Sequence, residues 1–401
     1  MDSIKTQYGQ VVLVDNGGFF PEDDLHQDAA WFLTDAMKMI GTDAVGVGDA
    51  ELRFGIAYLK GLQKRSQLPF LSSNLLDSKT RLPVLTPSII KTVGSVKVGI
   101  FGLISDKVNL GPARDSLVVL DPSVAAKKTI AELRKKGATV VVLLSQLGKV
   151  ESEDLATAVD GIDVLICGRN VPLVQKGRMI KNTMAVYGGE QGQYMGRTIV
   201  SLDAARKPTT SDCETFILGP EVGEKPELAA LVKGFEDNLN AKLAKAEKER
   251  AAQQQAKQGT SSPDHFVGAE VCMRCHVQEA TQWKSTKHSH AWQTLVDRKK
   301  DSTPECIGCH VVGYKEPGGF ASGVETPTLS NVQCESCHGM GTGHEAFSTS
   351  PRKITEATCR TCHKGDNSPT FDYATYLPHV LHKYQGTPPA LPAHGSTMDA
   401  K

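Results

Sequence analysis

Four Cys-x-x-Cys-His motifs crowd into the last third of this chain, and they constrain it more than any other feature. They read Cys272-Met-Arg-Cys275-His276, Cys306-Ile-Gly-Cys309-His310, Cys334-Glu-Ser-Cys337-His338 and Cys359-Arg-Thr-Cys362-His363. Each is the attachment signature of a c-type haem. The two thiols add across the porphyrin vinyl groups, and the adjoining histidine ligates the iron from the proximal side. Paired Cys-x-x-Cys units also build zinc ribbons, but zinc draws thiolates from two motifs per ion and has no use for a histidine beside every second cysteine. A redox-active disulfide is disfavoured by context, because no motif sits in a βαβ unit. The reading is four covalently attached haem c groups. Their thioether positions are Cys272, Cys275, Cys306, Cys309, Cys334, Cys337, Cys359 and Cys362, and their proximal ligands are His276, His310, His338 and His363. Aliphatic residues are sparse from His265 onward, so the porphyrins themselves are expected to form the core there. The close spacing of the motifs forces the irons into a chain, an arrangement suited to electron hopping.

The remaining bulk features exclude more than they assign. A chain of 401 residues makes roughly two to three domains. Lys+Arg and Asp+Glu balance at 45 each, which leaves no footprint for nucleic acid or an anionic membrane surface. Eight of the ten cysteines are committed to the motifs. The other two, Cys167 and Cys213, lie in apolar or strand-like surroundings and read as buried thiols, with a disulfide between them left open. No stretch approaches the length of a membrane span. Covalent haem attachment occurs outside the cytoplasm, so a periplasmic or extracellular location is expected. Yet no apolar signal core follows Met1. A signal removed, or a natural start upstream of Met1, accounts for this; the second is favoured by the strand discussed below.

Strands and helices alternate through the first 220 residues. Apolar β-branched runs at Val11–Val14, Ala44–Val47, Val96–Ile104, Thr139–Leu144 and Val164–Ile166 predict strands. Amphipathic segments at Asp28–Ile40, Val124–Lys136 and Glu153–Val159 predict helices. In the first of these, Trp31, Phe32, Ala36 and Met39 mark the buried face, and Asp35, Lys38 and Thr42 the polar one. This is the pattern of a layered α/β domain over residues 1–220. Residues 221–263 read as a helical linker, with Leu228, Leu231, Val232, Phe235, Leu239 and Leu243 at helical spacing over Pro226–Gln258. The first half of that helix is expected to pack on a domain, with a coiled-coil dimer as the alternative. A break at Gly259–Pro263 precedes the multihaem segment, residues 264–401.

The order of phrases in the first domain is more specific than its fold. It runs Val11-Val-Leu-Val-Asp-Asn-Gly-Gly18, Thr42-Asp-Ala-Val-Gly-Val-Gly-Asp-Ala-Glu-Leu-Arg-Phe-Gly55, Pro69-Phe-Leu-Ser-Ser-Asn74, Val96-Lys-Val-Gly-Ile-Phe-Gly-Leu103, Val140-Val-Val-Leu-Leu-Ser-Gln-Leu-Gly148 and Gly161-Ile-Asp-Val-Leu-Ile-Cys-Gly168. Over residues 8–203 this succession resembles the N-terminal domain of periplasmic 5′-nucleotidases, members of the calcineurin-like metallophosphoesterases. The resemblance implies a metallophosphoesterase-like α/β sandwich whose loops hold two metal ions that activate a water. It also implies that the ligands are missing here. The family's bridging aspartate falls on Gly18, its Asn-His pair on Asp49 and Ala50, its Ser-His-x-Gly histidine on Gln146, and its Gly-His-x-His histidines on Arg169 and Val171. The opening strand with Asp-x-His is not present, nor is the family's C-terminal nucleotide-binding domain. Asp49 alone does not hold a two-metal site, and Arg169 sets a fixed positive charge where a dication belongs. Phosphoesterase activity is therefore expected to be absent.

The haem segment carries a second resemblance. Val267-Gly-Ala-Glu-Val-Cys-Met-Arg-Cys-His276, Trp283-Lys-Ser-Thr-Lys-His-Ser-His-Ala291, Cys309-His-Val-Val-Gly-Tyr314 and Val332-Gln-Cys-Glu-Ser-Cys-His-Gly-Met-Gly-Thr-Gly-His344 are similar to phrases of the cytochrome c-554 family of tetrahaem cytochromes, over residues 265–385. In that family, histidines outside the motifs supply distal ligands. Carried over, these are His290 or its neighbour His288, His344, and His382 or His379. One haem of the family is five-coordinate, and the motif at His310, with no further histidine nearby in sequence, is the candidate. The expected function is electron transfer with redox partner proteins, either other cytochromes or a quinol-linked donor. The alternatives are a redox enzyme acting on a small nitrogen or sulfur species at the open haem, and an active nucleotidase with a haem appendage. A homo-oligomer or filament stays open.

Overall fold

The computed structural model describes residues 2–189, 192–257, 264–345, 354–365 and 368–382. The chain divides into two compact units, Met1–Phe235 and Glu236–Lys401. The division falls inside the long helix that the sequence sets apart as a linker. The expected break at Gly259–Pro263 and the end of the haem segment lie outside the described residues.

The first unit opens with α1 (Asp2–Tyr8), β1 (Val14–Asp15), α2 (Asp28–Ile40), β2 (Ala44–Gly46), α3 (Ile56–Ser66), β3 (Phe70–Leu71) and β4 (Leu75–Asp77). It continues through β5 (Ser88–Val93), β6 (Val96–Ile104), β7 (Leu117–Val119), α4 (Pro122–Lys135), β8 (Val140–Gln146), α5 (Lys149–Ala158) and β9 (Val164–Cys167). Two hairpins follow, β10 (Val174–Ile180) with β11 (Thr183–Tyr187) and β12 (Tyr194–Leu202) with β13 (Pro208–Ile217), before α6 (Pro226–Lys257). The eight-stranded sheet has the order β12-β13-β10-β11-β9-β8-β6-β5, and β1-β2-β3 form a smaller parallel sheet. Strands β6, β8 and β9 run parallel, with Val98 beside Val140 and Val142 beside Val164.

Three apolar clusters fix the layers. Phe101, Leu103, Val141 and Leu143 of the large sheet meet Ile130 and Leu133 of α4 and Leu155 of α5. On the sheet's other face, Ile100, Val142 and Leu144 pack with Leu71 and Ala44 of the small sheet. Beyond that, Val45 and Phe70 meet Ala30 of α2 and Leu59 and Leu62 of α3. The result is a helix–sheet–sheet–helix sandwich. The two sheets lie close together at Gly102, where a Cβ would stand 2.1 Å from the Leu71 carbonyl oxygen, so only glycine fits.

Several sequence expectations hold here, and some are corrected. Helix α2 has the predicted bounds, closed by Gly41 in the left-handed conformation. Its buried stripe is different: Ala30 and Thr34 are buried while Met39 is 46% exposed. Thr34 tolerates burial because its hydroxyl donates to the Ala30 carbonyl at 2.6 Å. The first strand covers Val14–Asp15 rather than Val11–Val14. Cys167 on β9 and Cys213 on β13 are both buried free thiols.

The second unit contains the later part of α6 and short helices: α7 (Ala269–Met273), α8 (Val277–Lys284), α9 (Ala291–Asp297), α10 (Pro304–Ile307), α11 (Cys334–His338), α12 (Thr342–Glu345), α13 (Glu356–Arg360) and α14 (Tyr373–Val380). It has a small apolar cluster of its own, Leu295, Ile307, Val311, Val312, Phe320 and Leu329. The later part of α6 is built into this unit. Glu247 accepts the Tyr314 hydroxyl at 2.6 Å, and Arg250 lies over the Tyr314 ring while donating to the Ala321 carbonyl at 3.0 Å.

Candidate functional site

Each motif folds as one tight turn. The backbone N–H of His276 donates to the Cys272 carbonyl at 3.0 Å, and that of His363 to the Cys359 carbonyl at 2.9 Å. A helical turn sets its first and fourth positions on one face, so both thiols of a motif point the same way. Local sequence starts these turns. Thr303 precedes Pro304 at the head of α10, and reciprocal side-chain caps start α11 at Gln333 with Ser336 and α13 at Thr355 with Thr358.

The motif histidines meet other histidines in a repeated geometry. His276 faces His344 with ring centroids 6.1 Å apart, His363 faces His288 at 6.2 Å, and His338 faces His382 at 6.1 Å. A metal–imidazole bond of about 2 Å puts a ring centroid about 3 Å from the metal, so two imidazoles on one ion stand about 6 Å apart. The three separations therefore fit one iron held between each pair. Burial and the nearby His363 and His310 push the His288 imidazole below its ordinary range, and burial does the same for His363. Both act to keep those rings neutral, the form that binds metal.

His310 is different. Its Nδ1 lies 2.6 Å from the Ala291 carbonyl oxygen, which fixes Nδ1 as the donor and leaves Nε2 free to ligate. Among the described residues, no second histidine ring faces it. Of the paired sequence candidates, the structure brings His288 and His382 to motif histidines. His290 is exposed on the same short turn, and His379 is exposed on α14. Between motifs, the Cys272 and Cys334 thiols lie close enough to perturb each other, as do those of Cys309 and Cys362. Each partner's proximity holds Cys272 and Cys309 above, and Cys334 and Cys362 below, the ordinary thiol range. The motifs are thus brought together as first with third and second with fourth.

Two buried polar residues that the sequence reading missed hold this arrangement. Glu335, 4% exposed, accepts the backbone N–H groups of Val267 at 3.0 Å, Gly268 at 2.8 Å and Gly341 at 2.7 Å. Gln333 accepts from the Ala269 N–H at 2.6 Å and donates to the carbonyls of Thr328 and Ser330. The phrase Gln333-Cys-Glu335 therefore ties the third motif to the segment entering the first and to the loop that leads to His344. The position of His288 is set by its carbonyl, which accepts the Val332 N–H at 3.2 Å. The available signal was polar side chains flanking a motif cysteine.

In the first unit, the loops at the carboxyl ends of the parallel strands converge. Gln146 is buried, and its amide donates to the Asn16 carbonyl at 2.6 Å. Arg169 Nε lies 3.8 Å from the Asp49 carboxylate, Val171 is buried in the large-sheet cluster, and Ala50 begins a short 3-10 turn. Glu51, another residue missed from sequence, is fully buried. It accepts the N–H groups of Gly18 at 2.7 Å, Phe19 at 3.0 Å and Gly48 at 2.8 Å. Burial pushes its carboxyl up to about 7 despite those bonds, with Asp15 adding to the rise. The positions Gly18, Asp49, Gln146 and Arg169 do come together, around an amide and a guanidinium in place of imidazoles.

Comparison with known proteins separates the two units in the same way. The family described as "Cytochrome c554 and c-prime" matches residues 271–339. "Cytochrome c-554" of Nitrosomonas europaea is 31% identical over 163 residues, 30% of this chain and 68% of that protein. Through its C-terminal unit, this chain belongs to the cytochrome c554 family. That membership implies c-type haem. The N-terminal unit is related to phosphoesterases: the "Uncharacterized metallophosphoesterase YunD" of Bacillus subtilis is 25% identical over 247 residues, 58% of this chain and 53% of that protein. The crystal structure of the 5′-nucleotidase precursor from Thermus thermophilus superimposes with a TM-score of 0.54 at 23% identity, covering 60% of this chain and 52% of that one. The N-terminal unit has the metallophosphoesterase fold, and the chain spans about half the length of these two phosphoesterase relatives.

Proposed function

We propose that this chain is an exported electron carrier holding four haem c groups, joined to a phosphoesterase-like domain that does not hydrolyse phosphate esters. The observation that carries the reading is the set of three histidine pairs at 6.1–6.2 Å, each containing one motif histidine. When bound, a haem supplies an iron that passes between ferric and ferrous states without bonds being made to a substrate. The chain's residues do the rest. The two thiols of each motif would fix one group on its helical turn as thioethers. The imidazole pairs His276 with His344, His338 with His382 and His363 with His288 would each hold one iron between them, leaving no room for a small molecule to bind it. Export follows from where thioether attachment takes place, and redox partner proteins such as other cytochromes or a quinol-linked donor from the absence of substrate chemistry at three of the four positions.

The inactivity of the first domain rests on donor chemistry. A two-metal site needs several carboxylate or imidazole ligands. Gln146 spends its amide on Asn16, Glu51 spends both oxygens on backbone N–H groups, and Asp49 faces Arg169. A second reading keeps a redox enzyme in view. It is favoured by His310, which has one ligating nitrogen and no facing ring among the described residues; a small nitrogen or sulfur species would bind there.

The test uses the intact protein matured in a host that attaches haem c. Its mass should exceed the polypeptide by four haems, and reductive titration should take up four electrons. A nucleoside monophosphate supplied with manganese should release no phosphate. Bound zinc in place of haem, or phosphate release abolished by Asp49→Ala, contradicts the proposal. Turnover of hydroxylamine, nitrite or sulfite at the carbon-monoxide-binding haem selects the second reading.

A further inference from the structure

We infer that Ser368 and Phe371 are positioning residues for the iron of the fourth motif: they hold the His363 imidazole at a fixed rotation and donor strength, and so give that haem a spectroscopic signature and a potential of its own. The inference rests on the reading of His363 and His288 as the two ligands of one iron. The three facing pairs are not equivalent. Their ring planes are 11° apart in His338 with His382, 31° in His276 with His344 and 46° in His288 with His363.

His363 sits in a box built by the start of α14. Asp372 caps that helix, accepting the Thr375 N–H at 2.9 Å and the Thr375 hydroxyl at 2.7 Å. Phe371, the residue before the cap, then meets Tyr376 edge to face with ring centroids 5.0 Å apart, an apolar staple that fixes how the chain enters the helix. Phe371 lies flat on His363, with centroids 4.7 Å and planes 12° apart, and Tyr376 meets the same imidazole edge-on at 5.6 Å. Arg360 of α13 lies over the Phe371 ring at 5.3 Å. The Ser368 hydroxyl stands 3.0 Å from His363 Nδ1. Ligation through Nε2 leaves the proton on Nδ1, so Ser368 accepts it. A parallel stack on one face and a hydrogen bond on one edge leave the ring no free rotation.

Both contacts act on the electrons of the iron. Each axial imidazole mixes its π orbital with the pair of iron d orbitals that carries the ferric hole. Parallel rings act on the same orbital and split the pair widely, whereas turned rings act on both and leave them closer in energy. The spread of g values follows that splitting, so the pair at 46° should show the largest low-field g value and the pair at 11° the smallest. A hydrogen bond accepted from Nδ1 makes the imidazole a stronger donor, which favours the ferric state and lowers the potential. Helix α14 also leads to His382, the ring that faces His338, and that pair is the internal control.

Electron paramagnetic resonance and redox titration of the full, haem-loaded chain test this, with His288→Ala marking which low-spin line belongs to His363. Phe371→Leu keeps an apolar side chain but no flat face. It should shift or broaden that line and leave the His338–His382 line in place, and Phe371→Tyr should keep the wild-type line. Ser368→Ala removes the acceptor and should raise the reduced-to-oxidised ratio of that haem at a fixed potential by about threefold, whereas Ser368→Thr should match wild type. One g value shared by all three low-spin haems, equal disturbance of the His338–His382 line, or an unchanged ratio in Ser368→Ala overturns the inference. A low-spin line insensitive to Phe371→Leu overturns it while the pairing of His288 with His363 stands. A fourth haem that is high-spin in the wild-type chain overturns that pairing and the inference together.

Discussion

Replacing Glu335 by alanine should both destabilise the haem unit and release one axial ligand. The carboxylate is buried and accepts three backbone N–H groups at 2.7–3.0 Å, from Val267, Gly268 and Gly341. Hydrogen bonds to a charged group are worth about 1.5–3 kcal/mol each, and donors left buried without acceptors cost about 1–3 kcal/mol each. With water entering the gap and meeting part of that demand, the net loss should be about 4 kcal/mol, at the top of the range for single substitutions. Glu335→Gln keeps the shape and one acceptor oxygen, and should lose about half as much. Because Gly341 stands three residues before His344, both variants should also raise the high-spin fraction of the haem at His276. Guanidinium unfolding followed by circular dichroism gives the first quantity, and the absorption spectrum with carbon monoxide titration the second. A loss below about 1 kcal/mol for Glu335→Ala, or unaltered ligation at His276, would refute the reasoning.

Other consequences are as direct. His288→Ala should convert one haem to a high-spin, carbon-monoxide-binding form, whereas His290→Ala two residues away should leave the spectrum unchanged; the reverse result would return the ligand role to His290. Glu51, at about 7 when folded against an ordinary 4.5, binds more protons folded than unfolded between those values. Stability of the first unit should therefore fall as pH rises from 4.5 to 7, by about 3 kcal/mol, and Glu51→Gln should flatten that slope in pH-dependent thermal melts. A wild-type slope that Glu51→Gln leaves intact would assign the titration to another group.

Much of the first unit is legible because its elements carry strong periodicity. Asp28–Ile40 has an apolar stripe and a glycine stop, and Val96–Ile104 is a continuous run buried in a parallel sheet. The hairpins β10–β11 and β12–β13 carry no such signal. Strand β10, Val-Gln-Lys-Gly-Arg-Met-Ile, mixes charge and glycine on a half-exposed surface, where neither alternation nor an apolar run is clean. In the haem unit, the motifs are local and read directly, whereas the partner histidines depend on contacts between segments far apart. His288 and His290 occupy one 3-10 turn, and what distinguishes them, the facing His363 ring and the bond from Val332 to the His288 carbonyl, comes from distant segments. Glu335 lies inside a motif, where sequence reading sees only the cysteines and the histidine.

Axial ligation is the most direct measure of the whole account. Electron paramagnetic resonance of the oxidised protein, with near-infrared magnetic circular dichroism, counts imidazole pairs on ferric haem without any substitution. The account predicts three low-spin haems, each with two imidazole ligands, and one high-spin haem, with carbon monoxide binding one equivalent after reduction. Four low-spin haems, a methionine-ligated haem, or more than one high-spin signal would contradict it.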